Sequence, residues 1–112
     1  MILHVVLFDL QERSSSAWAE VEAKLRALEG LPMVRSLAIG ECLELEEVAP
    51  VLRSRDHRYA AVFTFKSEDD VRAYLRHPVH QEIATELRAR FSSAKVVDVK
   101  VLSEVSHGEG TR

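Results

Sequence analysis

Two segments of this chain, Ile2–Leu10 and Tyr59–Phe65, are apolar on both alternating sets of side chains, and few architectures bury both. In the first, Ile2, Val6, Phe8 and Leu10 flank His4 on one face, while Leu3, Val5 and Leu7 precede Asp9 on the other. In the second, Tyr59, Ala61, Phe63 and Phe65 alternate with Ala60 and Val62 before Thr64. Strands of this kind belong in the interior of a sheet that is covered on both sides.

The remaining segments say what surrounds them. Ser14–Ser16 supply an N-cap, and Trp18, Val21, Leu25 and Leu28 then recur at helical spacing until Gly30, where a left-handed cap is expected. Val34–Ile39 predicts an edge strand, with Leu37 and Ile39 on one face. Residues 40–58 mix glutamates with Leu43, Leu45, Val48, Val51 and Leu52 around Pro50, and read as a long loop with at most one helical turn. That loop is expected to pack on a partner chain or on a cavity mouth. Ser67 and Asp70 form a capping box for a helix whose inward stripe is Val71, Tyr74 and Leu75. Pro78 ends that helix at His77 and starts another, in which Val79, Ile83, Leu87 and Phe91 recur every fourth residue. Val97, Val99 and Val101 alternate with Asp98 and Lys100 in a one-sided last strand.

The order strand, helix, strand, strand, helix pair, strand is that of an α+β fold, the ferredoxin-like βαββαβ arrangement. It predicts a four-stranded antiparallel sheet in the order 4-1-3-2 with the helices on one face. One domain is expected over residues 1–102, followed by a polar, frayed tail over 103–112. The second apolar face of strands 1 and 3 would stay wet unless another chain covered it, so a homodimer packed sheet to sheet is expected.

Charge and cysteine narrow the function classes. Fifteen Lys and Arg against 18 Asp and Glu give a net charge of -3, without a basic stripe, which excludes a general nucleic-acid binder. The single Cys42 suits a reducing, cytoplasmic setting, and no apolar run is long enough to act as a membrane anchor. The four glycines form no phosphate loop or dinucleotide fingerprint, and neither Cys-x-x-Cys nor His-Glu-x-x-His occurs. No cofactor and no metal site are expected.

What chemistry remains rests on polar residues inside apolar segments. His4 in the middle of a buried strand needs a partner, because an unsatisfied buried polar group costs about 1–3 kcal/mol. It is either a core imidazole bonded to a backbone carbonyl or to Tyr59, or a general base titrating near neutral pH. His80 either caps or solvates its helix or acts as an acid/base, and His77 and His80 make only half of a usual metal site. Tyr74 on the inward stripe is a core aromatic whose hydroxyl needs a partner, and Trp18 is core or a ligand platform. Glu41 and Glu44 beside Cys42 would raise its thiol pKa and argue against a nucleophile. His57 and His107 carry no role.

Met1–Phe8, the strand Tyr59–Phe65, the run Tyr74-Leu75-Arg76-His77-Pro78-Val79-His80 and the ending Val96-Val97-Asp98 together resemble the stress-responsive A/B barrel domain family, often called Dabb, over residues 1–102. The resemblance implies a dimeric α+β barrel. It also implies a cavity between sheet and helices that holds a small hydrophobic or phenolic molecule, with Val6, Phe8, Trp18, Tyr59 and Phe63 as candidate contacts. The family is largely uncharacterised or called stress-responsive, but is similar to a plant polyketide cyclase that closes a ring by aldol chemistry. From that pattern His4, His80 and Tyr74 are the candidate catalytic residues, while a cyclase histidine in strand 3 falls at Tyr59 here. A cofactor-free monooxygenase or haem-handling protein is the further reading that α+β barrels bring.

Overall fold

The two doubly apolar segments lie side by side at the centre of the sheet. In the computed structural model, which describes residues 1–106, the chain runs β1 (Ile2–Leu10), α1 (Ser15–Glu29), β2 (Ser36–Glu41), β3 (Tyr59–Phe65), α2 (Glu68–Arg76), α3 (Pro78–Arg88) and β4 (Phe91–Lys100). The sheet order is β2-β3-β1-β4, antiparallel throughout, so the expected 4-1-3-2 order and ferredoxin-like architecture hold. His107 and the rest of the tail from 107 to 112 lie outside the described residues.

Strand alternation decides which side chains enter the core. β1 pairs with β3 from Ile2↔Phe65 to Phe8↔Tyr59, so Ile2, His4, Val6, Phe8 and Leu10 share a face with Tyr59, Ala61, Phe63 and Phe65. All three helices pack on this face: Trp18 of α1 against Phe8 and Tyr59, Tyr74 of α2 against Phe63 and Phe65, and His80 of α3 against Tyr74. The opposite face, with Leu3, Val5, Leu7, Ala60 and Val62, is only half-buried in the protomer.

The helix starts are built as the local sequence dictates. Ser14 Oγ accepts from the Ala17 N–H, Ser67 Oγ from the Asp70 N–H, and His77 Nδ1 from the Val79 N–H ahead of Pro78. The end of α1 differs from expectation. Gly30 is right-handed (φ -69°, ψ -10°), because the N–H groups of Gly30 and Leu31 bond the Ala27 and Leu28 carbonyls in a tightened last turn that needs no left-handed residue.

Two further boundaries differ, as does the buried face of the helices. β2 begins at Ser36, since the Val34 N–H closes a turn onto Leu31 instead of joining the ladder. Phe91 opens β4, although its spacing from Leu87 fits a helix, because β4 pairs with β1 along its whole length. On the helices, Val71, Tyr74 and Leu87 are buried while Leu75 and Val79 stand exposed, so only part of each expected stripe faces inward.

The loop between β2 and β3 contains one 3₁₀ turn, Pro50–Leu52. It is pinned at its base by the Cys42 N–H to the Arg58 carbonyl (2.7 Å) and by Ser93 Oγ to the Asp56 carbonyl (2.5 Å). Its apolar side chains do not return to their own protomer: Leu43 and Val51 are 76% and 89% exposed.

Candidate functional site

Two polar residues occupy core positions, His4 and Asp9, and their surroundings differ. Asp9 lies on the half-buried sheet face, where Oδ1 accepts from the Leu10 N–H and Oδ2 from Arg13 (3.1 Å). It is satisfied by neighbours in sequence.

His4 is 5% exposed, and its partner comes from the far end of the chain. In the β1–β4 ladder His4 stands opposite Asp98, and Nδ1 donates to Asp98 Oδ1 at 2.6 Å. Neither a backbone carbonyl nor Tyr59 supplies this bond, because Tyr59 pairs with Phe8 further along the strand. The Asp98 side chain is 48% exposed, so it holds the buried imidazole from the rim of the sheet. With Nδ1–H committed to a carboxylate, the lone pair of the neutral ring belongs to Nε2, which is how a histidine base is held in its working tautomer.

Tyr74 lies between the two histidines. Its ring is 5.8 Å from His4 and 4.4 Å from His80, centroid to centroid. Burial pushes the Tyr74 phenol well above its ordinary pKa, so it stays a hydrogen-bond donor at any physiological pH. His80 Nδ1 is buried without a hydrogen-bond partner. Burial lowers the His80 pKa, partly opposed by the Leu75 backbone and reinforced by the Arg88 charge. The ring is therefore neutral around pH 7.

These groups line one cavity of about 300 Å³ beneath the helices. Its walls are largely apolar, with Val6 and Phe63 from the central strands, Leu25 and Leu28 from α1, and Val96 from β4. A volume near the lower end of ordinary small-molecule sites, with a few convergent polar groups, is what such sites look like. An ion pair joins α3 to α1, Glu86 to Lys24 (2.5 Å), and Arg90, just past the end of α3, pairs with Glu20 of α1.

His4, His80, Tyr74, Val6 and Phe63 are thus brought together, whereas Phe8, Trp18 and Tyr59 do not line this cavity. Those three stack at the other end of the sheet, Trp18 on Tyr59 at 4.4 Å, with Phe8 on Phe91 at 4.7 Å. Their positions are those of a packed aromatic cluster, with the Arg58 guanidinium 5.8 Å from the Tyr59 ring. His77 is spent on capping α3, and among the described residues no three His, Cys, Asp or Glu side chains converge on a metal position. The Cys42 thiol is pushed up in pKa by its own burial, not by the neighbouring glutamates.

Asp98 is the residue that sequence reasoning missed. The alternation of β4 separates Asp98 from Val97 and Val99 but does not say which set faces the helices. The only signal was a carboxylate in a valine-rich strand of a chain with one buried histidine, and the register gives it meaning.

Comparison with known proteins places this geometry. The family described as the stress responsive A/B barrel domain matches residues 2–101. The crystal structure of an Arabidopsis thaliana protein superposes with a TM-score of 0.79 at 20% identity, covering 95% of this chain and 100% of the other. A dimeric ferredoxin-like protein of unknown function from Thermobifida fusca gives 0.68 at 22% identity, covering 89% and 90%. The hydroxynitrile lyase of Passiflora edulis gives 0.75 at 17% identity, covering 94% and 96%. No curated protein matches the sequence.

Proposed function

The chain belongs to the stress responsive A/B barrel domain family, and from that premise we propose that it works as a homodimer whose cavity takes a small, largely apolar molecule and moves protons to and from it. The observation that carries the reading is the His4–Asp98 pair at 2.6 Å, on the same apolar cavity as an unpartnered His80 nitrogen. A carboxylate that orients an imidazole, next to a neutral second imidazole and a phenol, is a general acid–base set.

The reaction class is abstraction of a proton from carbon beside a carbonyl, as in lyase or aldol chemistry. His4 Nε2 takes the proton, the C–H electron pair becomes the C=C bond of the enolate while the carbonyl π pair moves onto oxygen, and the enolate oxygen accepts a hydrogen bond from Tyr74 or His80. A positioned base of this kind contributes about 10²–10⁴-fold. A lyase of different chemistry, the hydroxynitrile lyase, shares the fold. The half-buried second sheet face supports the dimer, as does the dimeric neighbour from Thermobifida fusca. A cytoplasmic setting is part of this reading and rests on the single Cys42; among the described residues no helix is long and apolar enough to cross a membrane.

The test is deuterium exchange in D₂O at the α-carbon of a panel of aryl methyl ketones, followed by NMR. The protein should accelerate exchange for at least one ketone, and His4→Gln should remove the acceleration. Exchange that proceeds equally well with His4→Gln would overturn His4 as the base.

A further inference from the structure

The cavity is electrically lopsided. Its polar groups are His4, Asp98, Tyr74 and His80, with Arg88 two helical turns further along α3 than His80 and apolar wall around them. His80, Ala84 and Arg88 follow one another along the side of α3 that lines the cavity, where eight residues of helix separate the His80 and Arg88 backbones by about 12 Å and Arg88 stands exposed at the rim. β4 confirms the axis: Asp98 stands opposite His4, whereas Ala94, opposite Phe8, and Phe91 belong to the Arg88 end. Four residues of strand separate Asp98 from Ala94 by about 13 Å.

Among the described residues, Arg88 is the only lysine or arginine lining this cavity, and no carboxylate pairs with it. Its one side-chain bond is a long contact from Nη2 to Thr85 Oγ1 (3.3 Å). The neighbouring arginine, Arg90, is by contrast neutralised by Glu20. An unpaired guanidinium at the edge of an apolar cavity is a ready partner for a carboxylate, which it meets with two parallel N–H donors. Asp98 at the far end repels the same group.

We propose that the cavity takes its ligand lengthwise, with a carboxylate on Arg88, an apolar or aromatic body along Val6, Ala84 and Val96, and the reacting group beside His4, Tyr74 and His80. The substrate class is therefore a small aryl or alkyl carboxylic acid with a carbonyl or phenol at the end remote from its carboxylate. This rests on the cavity being the binding site, as argued above. Arg88 selects and orients the ligand and does not touch the reacting atoms.

The probes are 4-(4-hydroxyphenyl)butanoate and its neutral primary amide, measured by calorimetric titration against the wild-type protein, Arg88→Gln, Arg88→Lys and the cavity-filling Ala84→Trp. The carboxylate should bind about tenfold tighter than the amide, the size of one charge-assisted pair at a partly exposed site, and added salt should shrink that ratio. Arg88→Gln should bring the ratio to about one without weakening the amide, and Arg88→Lys should retain part of it. Thermal unfolding of each variant separates loss of the ion pair from loss of fold. If both probes bind and Ala84→Trp abolishes them, yet the ratio is one or survives Arg88→Gln, the orientation by Arg88 is wrong and the cavity reading stands. If neither probe binds, or Ala84→Trp leaves binding intact, the cavity reading falls and takes this proposal with it.

Discussion

Removing the Asp98 carboxylate should damage stability and proton transfer together, in amounts that follow from where the two partners sit. Asp98→Ala leaves Nδ1 of an imidazole that is 5% exposed without its 2.6 Å partner. An orphaned buried donor costs about 1–3 kcal/mol, and the half-exposed position of Asp98 lets water recover part of that. The expected loss is about 1–2 kcal/mol, a factor of about 5–30 in the folded-to-unfolded ratio, read from urea denaturation. Asp98→Asn keeps an acceptor but not the charge, and charge-assisted bonds are about twice as strong as neutral ones, so it should lose about half as much. A double-mutant cycle with His4→Phe should give a coupling of about 0.5–3 kcal/mol. In the deuterium-exchange assay, a His4 ring no longer held in place should slow the reaction up to about 10²-fold, the cost of a misplaced catalytic group. Two results together would refute the reasoning: additive stabilities in the cycle, and an exchange rate that Asp98→Ala leaves unchanged.

Other outcomes follow from the same geometry. Val5→Asp puts a charge on the half-buried sheet face and should convert a dimer into monomer or unfolded chain in sedimentation; a wild-type protein that sediments as a stable monomer contradicts the assembly. Phe8→Ala empties a fully buried ring site stacked on Phe91 and should cost about 3–5 kcal/mol in chemical denaturation, and a loss under about 1 kcal/mol would mean the aromatic cluster is loosely packed. Burial holds the His80 pKa below its ordinary 6.5, so as pH falls the unfolded chain takes up this proton first. Stability from this group is therefore complete above about pH 6.5 and is lost as pH falls from there towards the folded-state pKa. His80→Gln should flatten that slope, and an unchanged slope would assign it to other groups.

Much of the fold was legible because its determinants are local or periodic. The two-sided apolar pattern of Ile2–Leu10 and Tyr59–Phe65 identifies the central strands, since only interior strands need both alternating sets buried. Ser14, Ser67 and the His77-Pro78 pair mark helix starts because a cap acts on N–H groups two or three residues away. The same parity places His4 on one face with Val6, Phe8 and Leu10, and so on the side that the helices cover.

What the sequence by itself determined, then, was the set of elements, their order, and a histidine that had to find a partner. Only the tertiary structure decided which partner. His4 and Asp98 are 94 positions apart, and they meet because β4 adds to the edge of β1 in one register, with an irregularity at Asp9/Leu10 that shifts every pairing beyond it. A slip of one residue would turn Asp98 to the other face and bring a valine to His4. Tyr59, Phe8 and Trp18 were equally apolar and equally inward by pattern, yet they close a separate aromatic cluster, because position along the strand and not parity sets which cavity a side chain reaches. Alternation is written in neighbouring residues, whereas register and helix placement are set by how all the elements pack at once.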